Sequence, residues 1–328
     1  MPSNRKINYG SAINEAVMQA MKEDKRIFML GVGINSPWYI GNTTSGLVDS
    51  FGENRVIDTP VSENSITGIA VGAAAVGMIP IVVHPRHDFL LIALDQVFNH
   101  AAIAHYMSGG STKIPLVIRA IVNRGGEQSS QHSKSLQSIF SHVPGLKVVM
   151  PSTAYDAKGL MISALRDKNP VIYIDDRWLY GVEDDVPEEM YQVPIGKAAV
   201  RRNGNDLTLV TTSYMSFEAM KACEELEKEG IDVEHIDLRT IKPIDNETIL
   251  NSVRKTGRLV IADASWKMCS VSSEIAAIIA ENIIDEMKAP VVRVTLPSAP
   301  APASRTLEKL YYPNHRTIIG SVRSIIKR

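Results

Sequence analysis

The sequence predicts an α/β protein of two doubly wound domains, and three observations carry that prediction. Short apolar, β-branched runs alternate with amphipathic stretches from one end of the chain to the other, the pattern of strands and helices taken in turn. The 328 residues suffice for two domains, each with its own core, at roughly 150 residues per domain. Between residues 175 and 194 the alternation lapses into an acidic cluster, Glu183, Asp184, Asp185, Glu188 and Glu189, with two prolines and no periodicity. That segment reads as a linker. The boundary is placed near residue 190, giving domains 1–190 and 191–328.

In the first half, Ala12, Ile13, Ala16, Val17, Ala20 and Met21 recur at helical spacing. Ile27 to Leu30 follows as a run apolar on both faces, which suits a buried parallel strand. Further strands are expected at 56–58, 79–83, 115–121, 146–150 and 171–174, with helices at about 63–77, 88–106 and 155–166 between them. Beyond the linker the order is strand 207–212, helix 216–229, strand 231–237, helix 246–254, strand 258–262, helix 272–286, strand 290–295 and a last helix near 315–327. The run PSAPAP at 297–302 reads as an extended connection, because apolar periodicity resumes after it.

Charge and composition remove several classes of function. With 35 Lys+Arg against 36 Asp+Glu the net charge is −1, and no long run of one sign could follow a phosphate backbone or dock on an anionic bilayer. Nucleic-acid and membrane roles are not expected. The first residues, MPSNRKINYG, show no apolar stretch after the basic ones, and no window nears the ~18 apolar residues a membrane span needs. A soluble, cytoplasmic protein is expected. Cys223 and Cys269 form neither a CxxC pair nor a cluster with zinc spacing, so no disulfide framework and no cysteine-held metal are expected.

Three segments could carry chemistry. Gly31-Val32-Gly33-Ile34-Asn35-Ser36 follows a strand, where glycines let backbone N–H groups approach a phosphate. Ser36 stands in place of the third glycine, and Pro37, Trp38 and Tyr39 follow where the dinucleotide fingerprint needs a helix. A nicotinamide-dependent oxidoreductase is therefore the least favoured reading, and a plain turn explains the same residues. Glu63 opens a stretch dense in small residues, either as a functional carboxylate or as a first-turn acid favoured by the helix dipole. His84 and His87 flank Pro85-Arg86 past one strand end, and His132 lies in the polar stretch 127–133. Loops beyond strand ends are where α/β sheets place their sites, and histidine there serves as an acid or base or is simply solvated.

Taken in order, these segments resemble the β subunit of the thiamin-diphosphate-dependent decarboxylase component of 2-oxo acid dehydrogenase complexes, within the transketolase-like group. The matching blocks are Arg55-Val56-Ile57-Asp58-Thr59-Pro60-Val61-Ser62-Glu63, Gly68-Ile69-Ala70-Val71-Gly72-Ala73-Ala74, Asp95-Gln96-Val97 with Tyr106-Met107-Ser108-Gly109-Gly110, and Gln131-His132-Ser133. Others are Pro144-Gly145-Leu146-Lys147-Val148-Val149, Asp156-Ala157-Lys158-Gly159-Leu160, Ile236-Asp237-Leu238-Arg239-Thr240-Ile241-Lys242-Pro243 and Leu307-Glu308-Lys309. The resemblance covers the chain end to end. It implies a pyrimidine-binding domain over 1–190 and a transketolase C-terminal-like domain over 191–328.

For Glu63 the resemblance implies a carboxylate facing a nitrogen of the cofactor's aminopyrimidine, sharing a proton with it and so promoting loss of the thiazolium C2 proton. Phe89 stands where the family packs an aromatic face on that ring. His132 matches a histidine lining the substrate channel, there to bind a carboxylate or assist proton transfer. A structural potassium ion is implied at Leu116, Ala164, Leu165, Asp167 and Asn169, an oxygen-only set suited to a hard cation. The family usually marks the domain that holds Mg2+ and the diphosphate by Gly-Asp-Gly, which does not occur in this chain, so the resemblance implies an α subunit carrying both in an α2β2 assembly, with a lipoyl acyltransferase core as a further partner. Departures also matter. Val32 replaces the family's relay acid, and His84, Arg86 and His87 replace apolar or small residues near the substrate, which favours a polar or anionic substrate. Acetoin cleavage, or two-carbon transfer onto a sugar by a split transketolase-like enzyme, is the alternative reaction.

Overall fold

The computed structural model describes residues 5–36 and 40–326. The chain folds as two compact units, Met1–Arg124 with Gln131–Ile195, and Gly125–Ser130 with Gly196–Arg328.

The first unit holds β1 (Lys6–Asn8), α1 (Tyr9–Glu23), β2 (Ile27–Gly31), α2 (Leu47–Phe51), β3 (Val56–Asp58), α3 (Glu63–Ala75), β4 (Ile79–His84) and α4 (His87–Leu90). It continues with α5 (Ala104–Met107), β5 (Val117–Val122), α6 (Gln137–His142), β6 (Lys147–Val149), α7 (Ala154–Leu165), β7 (Val171–Asp176) and β8 (Glu183–Asp185). Helix α1 starts where the Asn8 side chain accepts the Ser11 N–H at 2.8 Å, and it buries the face formed by Ala12, Ile13, Ala16 and Val17. The strands run in the order β6-β7-β5-β4-β2-β3, every pair parallel. All their carboxyl ends therefore meet one edge of the sheet, and their apolar runs are buried on both faces.

Two expectations are corrected in this unit. The helix predicted over 88–106 is broken into α4, a 3-10 turn at Leu91–Ala93, a π turn at Gln96–Ala101 and α5. The Ala102 N–H reaches back to the Val97 carbonyl, which shifts the helix by one residue, and apolar spacing does not register such a change. The stretch 175–194 is also no free linker. Asp175 and Asp176 end β7, and β8 pairs antiparallel with β1. Further on, Lys158 donates to the Pro187 and Glu188 carbonyls at 2.7 and 2.9 Å, and the Val193 N–H donates to the Gly159 carbonyl at 3.2 Å. Those bonds keep the segment with the first unit as far as Ile195, a few residues past the boundary expected near 190.

A fully buried arginine lies in this sheet. Arg119 on β5 donates to Asp175 at 3.0 and 2.7 Å, to the Thr43 hydroxyl at 2.7 Å and to the Tyr180 hydroxyl at 3.0 Å. A buried guanidinium is tolerable only with its donors satisfied in this way.

The second unit holds β9 (Ala199–Arg202), β10 (Leu207–Thr211), α8 (Tyr214–Lys228), β11 (Val233–Asp237), β12 (Thr240–Lys242), α9 (Asn246–Thr256), β13 (Leu259–Trp266), α10 (Val271–Ile283), β14 (Val292–Leu296), α11 (Arg305–Tyr311) and α12 (His315–Ile326). Its sheet runs β14-β13-β10-β11-β9, parallel except for the β11–β9 pair. Leu209, Ala219, Val260 and Val322 sit in its core, between that sheet and helices α8 and α12. Among the described residues no helix is long and apolar enough to cross a membrane.

Candidate active site

The carboxyl edge of the first sheet gathers most of the residues singled out in the sequence. Strand β3 ends at Asp58, whose side chain accepts the Gly33 N–H at 2.7 Å and so joins the turns after β2 and β3. Past Pro60 the chain turns into α3, with Glu63 as its first residue. Its N-cap, Ser62, makes no side-chain capping bond. Glu63 is 8 % exposed, and among the described residues its carboxylate has no hydrogen-bond partner or ion pair. A buried carboxylate without a partner is costly, and a polar group from outside the chain would offset that cost.

One turn along α3, the Thr67 hydroxyl donates to the Glu63 carbonyl at 2.7 Å and lies 3.1 Å from His84 Nε2. Burial lowers the His84 pKa to about 4, and its Nδ1 is enclosed without a partner. His87 opens α4 and is fully buried, stacked on Phe140 with ring centroids 5.4 Å apart. Burial, with His84 nearby, lowers its pKa to about 3. Its Nδ1 accepts the Leu136 N–H at 3.4 Å, leaving Nε2 without a partner. Both imidazoles are therefore neutral interior groups, not the solvated loop histidines of the simpler reading. Arg86 lies between them, half-buried, with the Asn123 amide oxygen accepting from it at 2.7 to 3.3 Å in the amide's better-satisfied orientation.

Phe89 and His132 are both half-buried and meet edge to face, centroids 5.4 Å apart at 81°. The chain carrying His132 is fastened to α4 on its far side. Lys134 Nζ pairs with Asp88 at 2.8 Å, its N–H donates to the same carboxylate at 3.3 Å, and the Leu136 N–H reaches His87. At the neighbouring strand ends Arg124 pairs with Asp176 and lies 5.6 Å over the Trp178 ring.

The other candidates fare differently. A Cβ on Gly31 would come within 2.6 Å of the Val83 carbonyl, so this glycine lets β2 and β4 pack. Pro37, Trp38 and Tyr39 lie outside the described residues, and the next described helix is α2. The five residues implied for potassium come together around the α7–β7 turn. The Leu116 carbonyl accepts the Val171 N–H at 2.9 Å, the Ala164 carbonyl accepts the Asp167 N–H at 3.2 Å, and Asp167 accepts the Asn169 N–H at 2.9 Å. Lys147 also pairs with the Asp167 carboxylate. The Leu116 carbonyl keeps a second lone pair, whereas the Ala164 carbonyl also accepts the Arg166 N–H, so an oxygen-only cation site here would share Ala164 with those two N–H groups and Asp167 with the ammonium.

Sequence reasoning missed Thr67, Asp88, Lys134 and Leu136. Thr67 alone had a readable signal, four residues from Glu63 and so on the same helix face.

Comparison with known proteins shows the family. Residues 5–182 match the family described as transketolase, pyrimidine binding domain, and residues 196–318 match transketolase, C-terminal domain. The β subunit of an acetoin:2,6-dichlorophenolindophenol oxidoreductase from Cupriavidus necator is 43 % identical, covering 98 % of both chains. The pyruvate dehydrogenase E1 component subunit beta of Rickettsia felis is 41 % identical over 97 % of this chain and 98 % of that one. The 2-oxoisovalerate dehydrogenase subunit beta of Bacillus subtilis is 39 % identical with the same coverage. A split-gene transketolase, solved as an inactive beta4 tetramer, shares the fold at a TM-score of 0.81 and 22 % identity over 98 % of each chain.

Proposed function

Because the chain belongs to the thiamin-diphosphate-dependent transketolase-like family, among the β subunits of 2-oxo acid dehydrogenases, we propose that it is the β subunit of a two-chain enzyme in which Glu63 activates the cofactor for decarboxylation of a 2-oxo acid such as pyruvate. The observation that carries this reading is Glu63, 8 % exposed and with no hydrogen-bond or ion-pair partner for its carboxylate among the described residues, at the carboxyl edge of a parallel sheet. Such a group fits the aminopyrimidine, to whose ring nitrogen it gives and from which it takes a proton. Phe89 offers a half-buried aromatic face to orient that ring. His132, held against Phe89, binds the substrate carboxylate or moves a proton at the group that receives the acyl unit. When bound, thiamin diphosphate supplies the carbon nucleophile and the electron sink for decarboxylation.

Since the chain lacks the family's Gly-Asp-Gly, this reading puts the diphosphate and Mg2+ on an α subunit, the two chains closing as α2β2. The acyl group then passes to a lipoyl acyltransferase or another acceptor. Potassium is proposed for the turn holding Ala164, Leu165, Asp167 and Asn169, with Leu116. A second reading, cleavage of a hydroxyketone, is favoured by the 43 % identity to the acetoin oxidoreductase subunit. Dye-coupled turnover of pyruvate against acetoin by the reconstituted assembly separates the two.

The test of the Glu63 assignment is hydrogen–deuterium exchange at cofactor C2, with occupancy checked. Glu63→Gln keeps the shape but cannot take a proton, so exchange should slow by ~10² to 10⁴-fold. An unchanged rate at full occupancy refutes the assignment.

A further inference from the structure

We propose that Thr67 and His84 are positioning residues that hold the first turn of α3, and with it Glu63, in the orientation its proton transfer requires. The inference rests on the reading of Glu63 given above. Helix ends leave their first N–H groups without intrahelical partners, and a side chain at the N-cap normally supplies one. Here Ser62 supplies none; its hydroxyl donates instead to the Pro60 carbonyl at 3.2 Å. The turn that carries Glu63 is thus fixed from inside the unit, through the Thr67 hydroxyl 2.7 Å from the Glu63 carbonyl and 3.1 Å from His84 Nε2.

The sense of these bonds follows from counting protons. The Glu63 carbonyl can only accept, so the single hydroxyl proton of Thr67 points to it, and the hydroxyl oxygen must accept from His84. His84 is therefore the Nε2–H tautomer. Its neutral state fits a ring buried at 1 % exposure, and a neutral imidazole with its proton on Nε2 leaves a bare Nδ1, the atom found enclosed without a partner. An apolar side chain at position 84 would leave no such orphan. Accepting one signals that the bond at Nε2 matters. His84 ends β4 and Thr67 lies on α3, so the relay ties the helix start to a central strand of the sheet.

The experiment uses the reconstituted α/β assembly and reads C2 hydrogen–deuterium exchange, cofactor affinity and thermal midpoint in parallel. Thr67→Val removes the hydroxyl at nearly constant volume, and His84→Phe removes the donor; each should slow exchange about tenfold with cofactor affinity changed less than about twofold. Thr67→Ser, which loses the methyl but keeps the hydroxyl, and His84→Gln, which keeps an N–H near the Nε2 position, should restore exchange to within about twofold of the wild type. If Thr67→Ser slows exchange as much as Thr67→Val, packing is responsible and the proposal falls. It also falls if the midpoints drop while exchange stays unchanged. Glu63→Gln in the same series keeps the two ideas apart, since an unaltered rate there removes the Glu63 reading itself, whereas a slowed rate there with normal Thr67→Val and His84→Phe removes only the relay.

Discussion

His84, His87 and His235 share one state: burial lowers their pKa values to about 4, 3 and 3. In the unfolded chain each would titrate near 6.5. The folded state therefore binds fewer protons than the unfolded one below that value, and stability present at neutral pH is lost as the pH falls from about 6.5 towards 4, by up to ~1.4 kcal/mol per pH unit for each ring. Ordinary carboxylates titrate lower, so the interval from pH 7 to about 5.5 isolates the histidines. Thermal midpoints at those two pH values should differ less in His87→Phe, and separately in His235→Gln, than in the wild type. An equal drop in all three proteins would place the pH sensitivity elsewhere. The sequence put His87 correctly past a strand end and His84 just beyond it, where His84 is in fact the last residue of β4, yet could not tell a loop imidazole from a buried one, because the burial of His87 depends on Phe140 and Leu136, about fifty residues further on. Glu63 was legible as a first-turn acid, but that its carboxylate has no partner among the described residues exists only in three dimensions.

Two elements carry predictions of their own. Helices α8 and α12 are joined at Glu218. Burial would raise its carboxyl pKa, but hydrogen bonds from Lys221 and from the His315 backbone and ring hold it down at about 2. That contribution is complete above the usual carboxylate range and is lost as the pH falls towards 2. Glu218→Gln should cost the second unit about 1.5–3 kcal/mol at neutral pH, the range for hydrogen bonds to charged groups, read by denaturant unfolding. A loss below a few tenths would mean that the packing of the two helices alone holds α12. At the α7–β7 turn, Asp167→Ala should lower the thermal midpoint more in potassium buffer than in a buffer of large organic cations. Some loss is expected in both, since the half-exposed Lys147 pair is worth up to ~1 kcal/mol. Equal losses would leave that pair and the Asn169 N–H bond as the whole of Asp167's contribution. Apolar runs made most strands and helices readable to within a few residues. The exceptions have local causes: α2, α6, β9, β12 and α11 are too short to show a period, β1 and β8 are short polar edge strands that only their mutual pairing defines, and the π turn after α4 changes helical phase without changing composition.

The whole chain is legible as an α/β protein of two units because parallel strands buried on both faces leave long apolar signatures, whereas a partner chain is legible only through a motif that is missing. Purified alone, the chain should bind thiamin diphosphate weakly and show no turnover, for lack of a diphosphate and Mg2+ site. Calorimetric titration giving micromolar, Mg2+-dependent binding without an α chain would overturn this. With the α chain present, the same titration meets a first unit whose His132 stretch is clasped to α4 at Lys134 and at Leu136 by bonds within the chain itself. Molecular recognition then draws little on loop entropy from this side. The heat-capacity change on binding should follow the apolar surface that the incoming ring covers, and should stay well short of the large decrease that accompanies the folding of a mobile segment around its ligand.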